Sequence, residues 1–121
     1  MPAPPPPREA EAASALAQKF EFILPGGFLD EHGELHRVGV MRLATALDEL
    51  EPLRDTSLSG PDDPRGAILA LSRVIVSLGT VATVTPKVIE VLSAPDLAYL
   101  QRFYTVINFG GDEKMAPDGE S

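Results

Sequence analysis

The sequence contains no cysteine among its 121 residues. A disulfide framework, a thiolate zinc site and a cysteine nucleophile are therefore excluded, and a reducing compartment is expected. The sequence also lacks any cluster of lysine and arginine, and its 10 basic and 18 acidic side chains give a formal charge of -8. Affinity for nucleic acids comes mainly from basic side chains that neutralise phosphates, so no nucleic-acid partner is expected.

A long uninterrupted apolar run is missing as well. The longest apolar stretch, residues 67–84, is broken by Ser72, Arg73, Ser77 and Gly79, whereas a membrane span needs about 20 mostly uncharged residues. The opening residues, MPAPPPPREAEAASALA, lack the basic start and apolar segment of a secretory signal. We therefore expect a cytoplasmic protein with no membrane partner.

The two ends of the chain differ in composition from its middle. Residues 1–17 begin with a run of prolines and continue with alanine and glutamate, which predicts a disordered arm. Residues 112–121, DEKMAPDGES, are polar and turn-forming, and predict a flexible acidic tail. Residues 18–111 remain as one folded domain, which suits a chain of this length.

The first part of this domain has the pattern of a β-hairpin over residues 18–43. Phe20, Phe22 and Leu24 alternate with other residues at the period of a half-buried strand, and Pro25-Gly26-Gly27 is expected to end that strand. A second extended stretch starts near residue 28, turns, and continues from about residue 34.

The pattern becomes helical over residues 45–109. Thr45 with Asp48, and Ser93 with Asp96, have the spacing of capping boxes. Asp63 followed by proline, and Thr85 followed by proline, are further helix starts. One helix is expected to carry Ile68, Leu71, Ile75 and Leu78 on one face and to stop at Gly79. The prediction is an α+β fold, with an N-terminal hairpin followed by about four short helices.

Two histidines, His32 and His36, are four residues apart in the stretch FLDEHGELHRVGVMRLAT. A zinc-binding pair at this spacing requires a helix and a glutamate directly after the first histidine, but Gly33 stands there and the flanking pattern is extended. Asp30 and Gly33 instead suit the first and fourth positions of a tight turn. We therefore predict a turn and no metal site.

Other polar residues do not form a recognisable catalytic set. Asp48, Glu49 and Glu51 are close in sequence, but neighbouring helix positions do not face each other, and they are expected to lie on a solvated face. Ser57 and Ser59 lack the motif that presents a serine nucleophile. With nucleophile, base and oxyanion donors not found together, an enzyme and a cofactor are not expected.

The helical half is unusually apolar. Between positions 66 and 111, 28 of 46 residues are apolar and only five are charged, against about 45–50% apolar for whole soluble domains. Small domains bury a limited part of such surface. Two interpretations remain open: a compact core rich in alanine and valine, or an exposed apolar patch that binds a partner or a second copy of the chain.

Three segments carry a family resemblance: DEHGELHRVGVMRLAT, LGTVATVTPKVIEVL and DLAYLQRFYTVIN. With their flanks they resemble the tail assembly chaperones of contractile-tailed phages and of phage-tail-like contractile injection systems. The resemblance spans about residues 19–108. It implies a non-enzymatic assembly factor that binds the long helical tape measure protein and helps tube subunits polymerise around it.

The resemblance also implies partners and a working surface. The expected partners are the tape measure protein and the tail tube protein, and the expected client surface lies on the apolar helices. We assign to it four residues, Val88, Val91, Tyr99 and Phe103. The alternative role is that of a minor structural component of the tube or baseplate.

Overall fold

The computed structural model describes residues 18–60 and 62–110. The chain begins with strands β1 (Lys19–Leu29) and β2 (Leu35–Arg42), helix α1 (Ala46–Leu50) and a 3-10 turn (Glu51–Arg54). It continues with helix α2 (Arg65–Val74), strand β3 (Ile75–Leu78) and helices α3 (Pro86–Glu90) and α4 (Ala94–Phe109). The α+β prediction is confirmed. The predicted arm, residues 1–17, and tail, residues 112–121, lie outside the described residues.

The three strands form one antiparallel sheet in the order β1-β2-β3. Strand β1 does not end at Pro25-Gly26-Gly27, as the sequence suggested, but bulges there and continues to Leu29, because pairing with β2 resumes at Phe28. The bulge is possible because Gly27 has a φ of 113° and because Asp96 accepts hydrogen bonds from the amides of Gly26 and Gly27, at 2.8 and 3.0 Å. The hairpin itself is confirmed.

The third strand was not predicted. Helix α2 ends at Val74, and the next four residues pair with β2, with Leu78 opposite Gly39. Gly39 allows this close approach, because a Cβ there would lie 2.7 Å from the carbonyl oxygen of Ser77 and 2.3 Å from the ring of Phe22. Ile75 and Leu78 therefore reach the core from a strand, and the expected helix to Gly79 is wrong.

The core lies between one face of the sheet and the helices. The alternation predicted for β1 is confirmed, since Phe22 and Leu24 are buried while Ile23 is exposed. Phe22 also meets Phe103 of α4 edge to face, with ring centroids 5.7 Å apart. The buried apolar residues are Phe22, Leu24, Met41, Leu71, Val74, Ile75, Leu78, Val84, Ile89 and Leu100.

The helix starts follow the sequence with two corrections. The Thr45–Asp48 capping box is complete, and Thr85 caps α3 through its hydroxyl. At α4, Ser93 accepts the amide of Asp96, but the Asp96 carboxylate turns to the β1 bulge and closes no reciprocal box. Helix α2 begins one residue later than predicted, at Arg65, whose amide donates to the Asp63 carboxylate at 3.0 Å.

Helix α4, at 16 residues, is the longest helix of the described chain. Neither it nor any other helix in residues 18–60 and 62–110 combines the length and apolar character required to cross a bilayer.

Candidate functional site

The histidine-containing stretch forms a pinned turn. Asp30 accepts the amides of His32 and Glu34 on one carboxylate oxygen, at 2.8 and 2.9 Å, and Gly33 takes a φ of 82°. The prediction of a turn built on Asp30 and Gly33 is confirmed. His32 points into solvent, with its side chain 82% exposed, so the two histidines do not converge as they would on one face of a helix.

His36 is buried and has a structural partner on each ring nitrogen. Its Nε2 lies 2.8 Å from the second carboxylate oxygen of Asp30, and its Nδ1 accepts the amide of Thr80 at 3.4 Å. This arrangement requires the proton on Nε2, which donates to Asp30. The bond from His36 is the main reason why the pKa of Asp30 falls to about 2.

Asp30, Glu34 and His36 could in principle offer three ligand atoms to a metal, since these atoms lie within 4.8 Å of one another. In the structure Nε2 of His36 bonds to Asp30 instead, so the two side chains satisfy each other without a metal. Both oxygens of Asp30 already accept hydrogen bonds from the turn. The geometry therefore favours a structural role, in which Asp30 and His36 hold the hairpin end closed.

A second polar cluster surrounds Asp48 on α1. This carboxylate is 2% exposed and accepts from Arg42 at 2.7 and 3.2 Å, from Arg73 at 2.9 Å, and from the amide and hydroxyl of Thr45 at 2.8 and 3.1 Å. The Arg42 bonds, together with the others, hold the pKa of Asp48 well below its usual range despite burial. The cluster ties α1 to β2 and α2.

Because Asp48 is buried, the polar side of α1 faces the core and its apolar side faces solvent. The prediction that Asp48, Glu49 and Glu51 share a solvated face is wrong for Asp48, whose carboxylate is needed inside to pair with two arginines. The apolar residues of α1 point outward instead, with Leu47 and Leu50 49% and 53% exposed. An amphipathic helix normally turns its leucines to the core.

The row of leucines continues into the 3-10 turn. Leu53 is 52% exposed and follows Leu50 at the same three-residue interval that separates Leu50 from Leu47. Residues three apart lie on one side of a helix. These three side chains, which we call the leucine row, present apolar surface on the outside of the domain.

A groove with a volume of about 430 Å³ lies beside the leucine row, between the 3-10 turn, α2 and α4. Leu53 and Tyr104 line it, together with three small residues of α2, Gly66, Ala67 and Ala70. These small side chains leave the space open, and the lining is mainly apolar, with Glu49, Gln101 and Thr105 as its polar members. Its dimensions suit one or two large apolar side chains.

Tyr104 joins the groove to α1. Its hydroxyl donates to the carboxylate of Glu49, which is itself exposed. Burial and this carboxylate raise the pKa of Tyr104 well above its usual range. The phenol is therefore a fixed hydrogen-bond donor at the groove and stays neutral.

The four residues predicted to bind a client occupy different environments. Val88, Tyr99 and Phe103 are half-buried and pack against the core, and the Tyr99 hydroxyl accepts the amide of Ile23 at 3.2 Å. Val91 is 63% exposed. The assignment of these four residues stays a prediction, and the structure gives only Val91 a largely free side chain.

The remaining candidates serve turns. The Ser57 hydroxyl and amide both donate to Asp55, and the Ser59 amide donates to Asp63. Sequence reasoning did not identify the leucine row. Local spacing gives little sign of it, because Arg42 stands six residues before Asp48 but the second arginine, Arg73, stands 25 residues after it.

Comparison with known proteins gives no relative: no family model, no curated protein and no solved structure matches the chain.

Proposed function

We propose that the protein is a non-enzymatic assembly factor of a contractile tail or phage-tail-like injection system. In this role it binds the tape measure protein in the cytoplasm and assists assembly of the tube around it. The proposal starts from the resemblance of three segments, DEHGELHRVGVMRLAT, LGTVATVTPKVIEVL and DLAYLQRFYTVIN, to tail assembly chaperones.

The leucine row beside its groove is the observation that carries the proposal. Exposed single apolar side chains are ordinary on protein surfaces, but a contiguous patch on a soluble domain usually marks a binding site. Leu47, Leu50 and Leu53 are about half exposed at three-residue intervals, which places them side by side, and Leu53 also lines the groove. A surface of this kind suits an amphipathic helix, the element that a long helical client offers.

The polar clusters support a binding role over catalysis. Asp30 and His36 satisfy each other within the hairpin turn, and Asp48 is occupied by Arg42 and Arg73. The most perturbed carboxylates of these clusters are therefore explained by the fold. A perturbed pKa indicates a functional site mainly when the group lies in a cleft, because structural ion-pair networks perturb pKa values as well.

Co-expression with a tape measure protein from the same genome tests the proposal. We expect the soluble fraction of the tape measure protein to rise and a complex of the two to elute from size-exclusion chromatography. An unrelated acidic domain of similar size serves as the control. If the tape measure protein stays equally insoluble and no complex elutes, the proposed function is wrong.

Mass spectrometry of purified particles separates an assembly factor from a structural component. An assembly factor is expected to be absent or present in small and variable amounts. A fixed copy number similar to that of baseplate proteins would show instead that the chain is a minor structural component of the tube or baseplate.

A further inference from the structure

The outward leucines of α1 are held in place by the buried charge beneath them. Asp48 anchors α1 through Arg42 and Arg73, and this orientation leaves Leu47 and Leu50 about half exposed. Leu53, in the 3-10 turn that follows directly, is exposed to the same extent. Rotating α1 to bury the leucines would break the ion pairs. Exposure of the leucine row is therefore built into the fold.

The segment that carries the leucine row is rich in acidic residues. Residues 45–63 contain six carboxylates and one arginine, a net charge of -5, whereas residues 18–44 carry -1 and residues 64–110 carry +2. Arginine partners neutralise Asp48, Glu51 and Asp63. Glu49 and Asp55 are exposed and bond to neutral hydroxyls, those of Tyr104 and Ser57, so their negative charge faces solvent.

We propose that the leucine row and its groove bind a basic amphipathic helix. The apolar face of this helix would lie along Leu47, Leu50 and Leu53, with one large side chain in the groove above Ala67 and Ala70. Its lysines and arginines would face the exposed carboxylates of Glu49 and Asp55. Complementary charge raises the association rate and excludes acidic helices. The inference deepens the proposed function, on which it rests, by naming the surface and the chemistry of the client segment.

Two synthetic helical peptides of equal length and apolar pattern test the charge requirement on the full-length protein. One carries leucine on one face and lysine on the other, and the second replaces every lysine with glutamate. We expect the lysine peptide to bind at least tenfold more tightly at low salt and to weaken as salt is raised. Equal affinity of the two peptides would overturn the charge part of the inference.

A matched pair of triple variants tests the location. Leu47→Gln, Leu50→Gln and Leu53→Gln together should weaken binding of the lysine peptide at least tenfold. The control exchanges three similarly exposed apolar residues of the β1–β2 hairpin, Leu29→Gln, Leu35→Gln and Val38→Gln, and should change affinity less than twofold. A similar loss in both variants, or in neither, would refute the proposed surface.

Chemical-shift mapping on the unmodified protein avoids any question of misfolded variants. Amides of Gly66, Ala67, Ala70, Gln101 and Thr105, which line the groove, should move most on addition of the lysine peptide. Largest shifts in the β1–β2 hairpin would place the site elsewhere and overturn the inference.

The outcome is separable from that of the co-expression experiment. If the tape measure protein is solubilised equally well by the leucine-row variant, the chaperone role stands and this surface is wrong. If the lysine peptide binds the groove but the tape measure protein is not solubilised, the surface stands and the client is a different basic helix.

Discussion

Replacing Asp48 with asparagine should destabilise the fold by about 2 kcal/mol at pH 7. The exchange keeps the size of the side chain and removes its charge. One carboxylate oxygen accepts from Arg73 and Arg42, and the other accepts from Arg42 and Thr45. Asparagine has a single acceptor oxygen, so its NH2 group must face donors at one of these two positions.

The size of the effect follows from how far each partner is buried. Removing one member of a fully buried ion pair costs about 3–5 kcal/mol, whereas a surface pair contributes about 0–1 kcal/mol. Asp48 is 2% exposed, but the side chains of Arg42 and Arg73 are 32% and 36% exposed. The arginines can recover part of their hydration in the variant, and an intermediate cost of about 2 kcal/mol results.

The difference between the two proteins should shrink in acid. The pKa of Asp48 in the fold lies well below its ordinary value of 3.8, so the ionised form stabilises the native state above that value. As pH falls below 3.8 towards the native pKa, the unfolded chain takes up the proton first and the stabilisation is lost. At pH 3 the difference should be smaller by about 1 kcal/mol.

Urea unfolding followed by circular dichroism, at pH 7 and pH 3, measures both quantities. Asp62→Asn is the matched control, because Asp62 is exposed and its exchange should change stability by less than about 0.5 kcal/mol. A destabilisation by Asp48→Asn below that level at pH 7, or one that is equal at both pH values, would refute this account of the cluster.

Two further substitutions test the close contacts of the fold. Gly39→Ala forces a methyl group against Phe22 and should cost about 1–3 kcal/mol in urea unfolding, while Gly60→Ala, with open space around it, should leave the midpoint nearly unchanged. His36→Ala should lower the melting temperature, because it leaves buried hydrogen-bonding groups without a partner. The expected loss of stability is about 1–3 kcal/mol. Neither His32→Ala nor treatment of the unmodified protein with a chelator should lower the melting temperature. A chelator-induced decrease as large as that of His36→Ala would reveal a metal site.

The hairpin and the helix starts could be predicted because their signals are local. Asp30 and Gly33 form the turn through hydrogen bonds that span four residues. Thr45 and Thr85 cap helices through side chains three residues from their partners. Such contacts depend on sequence spacing alone, so the pattern of turn and cap residues was sufficient.

The third strand depends on long-range contacts, which cannot be inferred from the spacing of residues along the sequence. Ile75 and Leu78 are three residues apart, which fits a helical period better than the two-residue alternation of a strand. Both are buried because the segment pairs with β2 and the register shifts between Val40 and Met41. That pairing requires Gly39, which stands 36 residues earlier than Ile75 and gives no local sign of its partner. Long-range pairing commonly overrides local preference in short β-branched segments.

The position of the candidate site also depends on a long-range contact, the ion pair between Asp48 and Arg73. Hydrophobic periodicity alone assigns Leu47 and Leu50 to the core, yet the arginines at positions 42 and 73 draw Asp48 inside and turn the leucines out. A buried carboxylate paired with two arginines seldom makes a fold more stable than apolar side chains of similar volume would at the same positions. Keeping the charge inside has one clear structural result, which is the exposed leucine row. The Asp48 cluster therefore supports the proposed binding surface as well as the fold.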